Sequence, residues 1–145
     1  WKGLMLSAQF SWMADRWAYN NDRIMDESNG LYTSYNQSKR LLYDRWKEPG
    51  DVTDILRHGV TPQFDTHYLE NASFLRLKNL MLSYNLPQSV LKSTKFFNGA
   101  RVYVQGQNLL TFTKFTGLDP EFSANIYRAQ YPMSRQFTLG VELNF

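Results

Sequence analysis

Cysteine is absent from the 145 residues, which excludes disulfide scaffolds, thiol nucleophiles and cysteine-based zinc or iron–sulfur sites. Long apolar runs are missing too. None exceeds about four residues, against the roughly 18 that a membrane-spanning helix needs. A membrane β-barrel stays open, because its strands alternate and never look greasy in a window. Charge of one sign is scarce: 16 Lys and Arg stand against 13 Asp and Glu, scattered along the chain, so no nucleic-acid-binding face is expected. No basic tract followed by an apolar core opens the sequence. A strand-like pattern starts almost at once, and the sequence is expected to be a piece of something longer.

What the chain has is aromatic side chains, with 4 Trp, 9 Tyr and 10 Phe, on a polar average (mean hydropathy −0.49). The strongest periodic signal lies at the end. From Gln136 to Phe145 every odd position is apolar and every even position is polar or Gly, the mark of a strand with two chemically opposite faces. Its length fits the roughly 9–11 residues of a tilted strand crossing a bilayer. Three further segments share the pattern. Leu4, Leu6, Ala8, Phe10 and Trp12 oppose Ser7, Gln9 and Ser11. Leu80, Leu82, Tyr84 and Leu86 oppose Asn79, Ser83 and Asn85, with Arg76 and Lys78 carried onto the apolar face near its beginning. Val102, Val104, Leu110 and Phe112 oppose Arg101, Tyr103, Gln105, Gln107 and Thr111, and the exception, Asn108 beside Gly106, marks a bulge. Strands are expected over about 3–13, 73–86, 100–112 and 135–145.

The links between them are unequal: Ala14 to Ala72 is very long, Pro87 to Gly99 short, Thr113 to Ser134 intermediate. The short link is expected to hold one helical turn opened by Pro87. The long one carries a helix candidate, Ser38 to Trp46, with Ser38 as N-cap and Pro49-Gly50 as stop. Long connections on one side and short turns on the other are the pattern of outer-membrane barrels.

Chemistry finds little anchor. His58, Asp65, His67 and Glu70 form a candidate metal cluster, but no helix brings them onto one face, and solvated loop residues are the simpler reading. No nucleophile elbow, phosphate loop, dinucleotide turn or calcium loop is present, so neither catalysis nor a cofactor is expected. Asn36-Gln37-Ser38 and Asn71-Ala72-Ser73 match the glycosylation tripeptide, which recurs by chance. The loop aromatics Trp17, Tyr19, Tyr32, Tyr35, Trp46 and Tyr68 either stack on a ligand or fill the core of a folded loop, and the second is favoured. Phe10, Trp12, Tyr84, Phe112, Phe137 and Phe145 read as core or as an interfacial girdle, with strand-end positions favouring the girdle.

The apolar strand faces decide more. Leaving one large apolar side chain in water forfeits roughly 1.5–3 kcal/mol, and each face carries four or five. No second layer able to cover them is evident, whereas lipid needs none. The opposite faces suit a wet lumen and would be costly to bury dry.

At these residues the chain resembles a family. The closing stretch Tyr131 to Phe145 is similar to the C-terminus of the SusC/RagA-type TonB-dependent outer-membrane transporters. Ala72 to Asn79 followed by Ser83-Tyr84-Asn85-Leu86-Pro87 resembles the family's strand-plus-turn signature. Arg101 to Thr113 and then Gly117-Leu118-Asp119-Pro120-Glu121 match two more blocks in order, and Arg45-Trp46 before Pro49-Gly50 is also similar. The match covers most of residues 72–145, while residues 1–71 agree in general layout. The resemblance implies an all-β fold: an antiparallel transmembrane β-barrel of 22 strands with an N-terminal plug, of which this chain supplies the last four strands and long extracellular loops. It further implies residence in outer-membrane lipid, TonB-driven import of glycans or peptides, and a SusD-like surface lipoprotein as lid. Phe137, Leu139, Val141, Leu143 and Phe145 match the family's β-signal for the barrel-assembly machinery, although the same alternation is needed merely to face lipid. A soluble secreted β-rich carbohydrate-binding module is the alternative. A small complete barrel would need roughly eight strands.

Overall fold

The computed structural model describes residues 2–32, 34–92 and 96–145. Its strands are β1 (Leu4–Met13), β2 (Trp17–Asn20), β3 (Leu69–Asn71), β4 (Phe74–Asn85), β5 (Gly99–Thr113), β6 (Ile126–Tyr127) and β7 (Gln136–Asn144). Three short helices, α1 (Asn21–Asp26), α2 (Arg40–Tyr43) and α3 (Gln88–Leu91), and a 3-10 turn at Thr66–Tyr68 lie between them. No helix among the described residues is long and apolar enough to cross a membrane. The chain divides into two compact units. A sheet unit comprises the N-terminal stretch to Ala14, Phe74–Thr113 and Met133–Phe145, and a loop unit comprises Asp15–Ser73 and Lys114–Pro132.

In the sheet unit the four long strands stand in the order β1-β4-β5-β7, each antiparallel to its neighbours. Paired residues share a face, so the register defines two surfaces. Leu4, Tyr84, Val102 and Val141 lie at one level, and Leu6, Leu82, Val104 and Leu139 at the next. The opposite surface carries Ser7, Gln9, Ser83, Tyr103, Gln105, Thr138 and Glu142.

Sequence periodicity misplaces one half of β4. Gln9 pairs with Asn79 and Phe10 with Leu77, leaving Lys78 as an extra residue on β4. On the other side Leu77 pairs with Leu110 and Asn79 with Gln107, so β5 carries both Asn108 and Leu109 opposite Lys78. The expected bulge is there, with Asn108 in the left-handed region at φ 52°. One inserted residue moves every following side chain to the other face. Leu75 and Leu77 therefore join Leu80, Leu82 and Tyr84 on the apolar surface. Arg76, expected on that surface, is turned to the other and is 3 % exposed. There its Nε donates to Thr111 Oγ1 at 3.0 Å.

The short link forms the expected turn, α3, entered through Pro87 at φ −69°. The helix expected over Ser38 to Trp46 shrinks to α2. Its N-cap is Lys39, although Ser38 Oγ still accepts from the Arg40 amide at 3.3 Å. Tertiary pairing ends it: Thr53 Oγ1 donates to the Asp44 carbonyl, and the Trp46 amide donates to Ile55 O at 3.2 Å. Those groups are thereby lost to the helical ladder.

The loop unit is built on a second sheet, in the order β3-β2-β6. β3 runs antiparallel to β2, and β6 parallel to it. Ala18, Ala72, Phe115, Phe122 and Tyr127 form its buried core, with the Tyr127 ring 5.1 Å from Phe115 and 5.0 Å from Phe122. Arg16 fastens the second segment of the unit to the first. Its guanidinium stacks 4.2 Å over the Phe122 ring and donates to the carbonyls of Pro120, Phe122 and Ala124.

Candidate functional site

In the sheet unit the apolar surface is itself the functional feature. Leu6, Phe112 and Leu139 are 68 %, 62 % and 77 % exposed, so nothing among the described residues covers them. The five residues singled out at the C-terminus, Phe137, Leu139, Val141, Leu143 and Phe145, are all exposed. The first four pair with Gly106, Val104, Val102 and Ala100, and Phe145 packs its ring 5.3 Å from Phe97. Trp12, Leu75 and Phe112 form one level near one end of the sheet, and Tyr84 lies near the other. Eight residue steps separate Leu4 from Trp12, roughly 27 Å along the strand, which suits a tilted crossing of the apolar band of a membrane. Phe137 departs from the girdle reading. β7 starts opposite Gln107, so Phe137 stands level with Leu80 and Ala8, midway up the sheet.

The opposite surface is polar and close-fitting. Gly140 lies across from Tyr103, whose ring occupies the place where a Cβ of residue 140 would stand. Arg101 Nε approaches Glu142 at 3.6 Å. Both outer edges, on β1 and β7, lack a partner strand among the described residues. An unpaired edge beside an exposed apolar face is a surface built to be continued. Met13 pairs with Phe74 and Phe74 with Thr113, so both long links leave the sheet at one end and the Pro87 link at the other.

The loop unit carries two concave sites. A charged cleft of about 600 Å³ is lined by Arg23, Glu27, Arg40 and Asp54 with Asn20 and Thr116. Glu27, with its side chain 4 % exposed, accepts from Arg23 Nε at 3.1 Å and from Arg40 Nη1 at 2.7 Å. Arg23 also reaches Asp54 at 2.9 Å and Glu70 at 3.5 Å, and Arg40 donates to Asp54 as well. The Arg40 hydrogen bond holds Asp54 below the usual carboxylate range. Burial, followed by the charge of Glu27, pushes the Tyr68 hydroxyl up to about 12. Burial also raises Asp26, reinforced by Asp22 and Glu27. Arg23, Glu27, Arg40, Asp54 and Glu70 each face an opposite charge, which makes them a staple between α1, α2 and the segments around Asp54 and Glu70. In the sequence the Arg23–Glu27 and Arg40–Asp44 spacings of four residues signal part of it.

The second site is apolar and also measures about 600 Å³. Trp17 and Tyr19 alternate along β2 on the face away from the core, Leu69 and Ile126 pair with Tyr19 from either side, and Phe64 stacks on Tyr19 with ring centroids 3.9 Å apart. Asp65 and Asn125 stand at its wall. Burial raises the Tyr19 hydroxyl, and the negative charge of Asp65 raises it further. The loop aromatics thus divide. Tyr19 and Tyr68 fill the fold, whereas Trp17 and Tyr35 are exposed. Phe64 and Ile126 had no signal in the sequence, because the strand that organises them is two to four residues long.

The candidate metal residues do not converge. Glu70 accepts from the Thr116 amide at 3.0 Å and from its hydroxyl at 2.8 Å. Asp65 caps the His67 amide at 2.8 Å, His67 Nε2 lies 3.4 Å from Arg23 Nη2, and His58 lies beside Gly30. No group of three or more potential ligands forms among the described residues.

No family model matches the chain. Curated relatives do. Over 117 residues it is 35 % identical to TonB-dependent receptor P3 of Formosa agariphila, a span that is 72 % of this chain and 12 % of that protein. Over 119 residues it is 39 % identical to TonB-dependent receptor SusC of Bacteroides thetaiotaomicron, covering 79 % of this chain and 12 % of that one. The chain therefore spans about an eighth of the length of these relatives. Among solved structures, the RagAB peptide transporter matches all of it at 48 % identity and a TM-score of 0.92, over 16 % of that chain. The RagAB peptide importer in its closed-closed state matches with a TM-score of 0.91.

Proposed function

The chain belongs to the SusC/RagA-type TonB-dependent transporters of the outer membrane, and from that premise we propose that it forms the closing four strands of a 22-stranded barrel and part of its extracellular surface. The observation that carries the reading is the uncovered apolar face running across all four antiparallel strands, opposed by a polar face. Lipid meets the first and the lumen the second. The soluble-module alternative would have to leave Leu6, Phe112 and Leu139 in water, at a cost of roughly 1.5–3 kcal/mol each.

On this reading the unpaired edges of β1 and β7 join the remaining strands of the barrel, and Phe137, Leu139, Val141, Leu143 and Phe145 serve as the signal for the assembly machinery. The loop unit lies outside the cell, where a SusD-like lipoprotein and the substrate approach. Import is energised by TonB. The substrate is a glycan or a peptide. The RagAB neighbours are a peptide transporter and a peptide importer, so peptides come first in the test. Labelled oligopeptides and oligosaccharides are offered to cells carrying the whole transporter, with and without TonB. Uptake that needs both proteins is the expected result. Uptake unaffected by loss of TonB, or recovery of the transporter in the soluble fraction without detergent, overturns the reading.

A further inference from the structure

We propose that the apolar pocket of the loop unit is a binding site for an organic cation, an ammonium or guanidinium group carried on an apolar stem. Three aromatic side chains, Trp17, Tyr19 and Phe64, line it together with one carboxylate, Asp65, over a floor of Leu69 and Ile126. No basic side chain stands among the described residues lining it. Aromatic faces attract a cation through their quadrupoles, the carboxylate supplies the counter-charge, and the aliphatic floor takes the stem. Neither an anion nor a plain hydrocarbon would use all three features. The volume of about 600 Å³ falls in the range of small-ligand sites.

The groups are held in place. Tyr19 is 6 % exposed and fixed by pairing on both sides, with Leu69 and with Ile126. Phe64 stacks on it. Asp65 is fixed by accepting the His67 amide through Oδ1, and a carboxylate has further acceptor positions left for a ligand. Its field already acts on the pocket, since it raises the Tyr19 hydroxyl. By contrast, Glu27 and Asp54 of the charged cleft are committed to Arg23 and Arg40.

The test uses the whole transporter in detergent and titrates two probes by calorimetry at pH 7: Nα-acetyl-lysine methylamide and its uncharged norleucine counterpart. The lysine probe is expected to bind about five-fold or more tightly than norleucine. Asp65→Asn keeps the oxygen that caps His67 and removes the charge. Phe64→Leu keeps the apolar volume and removes a ring. Each is expected to reduce the preference to less than about two-fold. Equal binding of the two probes, binding of a glucose oligosaccharide in their place, no binding of either, or an unchanged preference in Asp65→Asn overturns the proposal. An arginine probe that binds as lysine does supports it. The readout is binding alone, so a failure of TonB-dependent uptake leaves this site standing, and a failure here leaves the transport reading untouched.

Discussion

Replacing Glu27 by Ala removes the buried centre of the charge cluster and takes a shared partner from the Arg23 and Arg40 guanidinium groups. Breaking a fully buried pair by deleting one partner costs about 3–5 kcal/mol. Glu27 itself is nearly inaccessible, but the Arg23 and Arg40 side chains are 18 % and 38 % exposed, so water relieves part of the penalty, and Asp54 with Glu70 beside Arg23 still supplies counter-charge. The expected loss is about 2–4 kcal/mol. At 1.4 kcal/mol per tenfold, that is roughly a 30- to 700-fold loss of protection from hydrogen exchange. The amides to follow are those of Glu27, which donates to Arg23 O at 2.8 Å, and Asp44, which donates to Arg40 O at 2.8 Å. Amides of β5 serve as the internal control and should not move. Glu27→Gln keeps the acceptor oxygen and loses the charge, so it should fall between the wild type and the alanine variant. Asp54→Ala, at a half-exposed carboxylate, should cost about 1 kcal/mol or less. If Asp54→Ala proves as damaging as Glu27→Ala, or Glu27→Ala changes protection less than about threefold, the staple does not act as described.

Three further expectations concern the rest of the chain. Leu82→Arg, on the outer face near the middle of the sheet, should cost about 2–4 kcal/mol against lipid, while Gln105→Arg, on the inner face, should cost far less. Urea midpoints of the reconstituted transporter rank the two, and the reverse order would invert the assignment of faces. Gly140→Ala drives a methyl group into the Tyr103 ring and should destabilise by about 1–3 kcal/mol. Tyr103→Ala should erase most of that cost in the double variant, which a mutant cycle measures. Asp54 has its pKa lowered by Arg40, so its contribution is present above the unfolded value of about 3.9 and is lost as pH falls through the folded one. Protection around Arg40 should therefore decline below about pH 4 in the wild type, and Asp54→Asn should remove that component of the profile.

The long strands were legible because each repeats one contrast many times over. Nine residues of β7 alternate without exception, and no other local structure satisfies that pattern. On β4 the same reasoning slipped. A bulge at Lys78 is an event of one residue, set by pairing with Gln9 and Phe10 on one side and Gln107 to Leu110 on the other, and periodicity within a single strand does not place it. Arg76 on an apolar face was the clue, since burying it there would leave a charge in lipid. The second sheet was illegible for a different reason. Strands of two to four residues have no period to read, and β2 finds its partners at residues 69–71 and 126–127. The pocket built on that sheet was hidden with it. α2 shows tertiary contacts overruling a local signal: Ser38 accepts from the Arg40 amide although Lys39 is the N-cap, and the helix ends at Tyr43, where Thr53 and Ile55 claim the groups that would have extended it.

The parallel pairing of β2 with β6 also sets an order in time. Asp22 holds the Ala129 amide across 107 positions, and two whole membrane strands are made between the partners. Closure over such a separation is slow and is rewarded only at the end. Until residues 114–132 arrive, the segment Asp15–Ser73 has only Ala18 and Ala72 of its five core residues, and Phe115, Phe122 and Tyr127 are still to come. A chain stalled before that point displays a half-built core to proteases. A sealed one certifies that β4 and β5 have already been made.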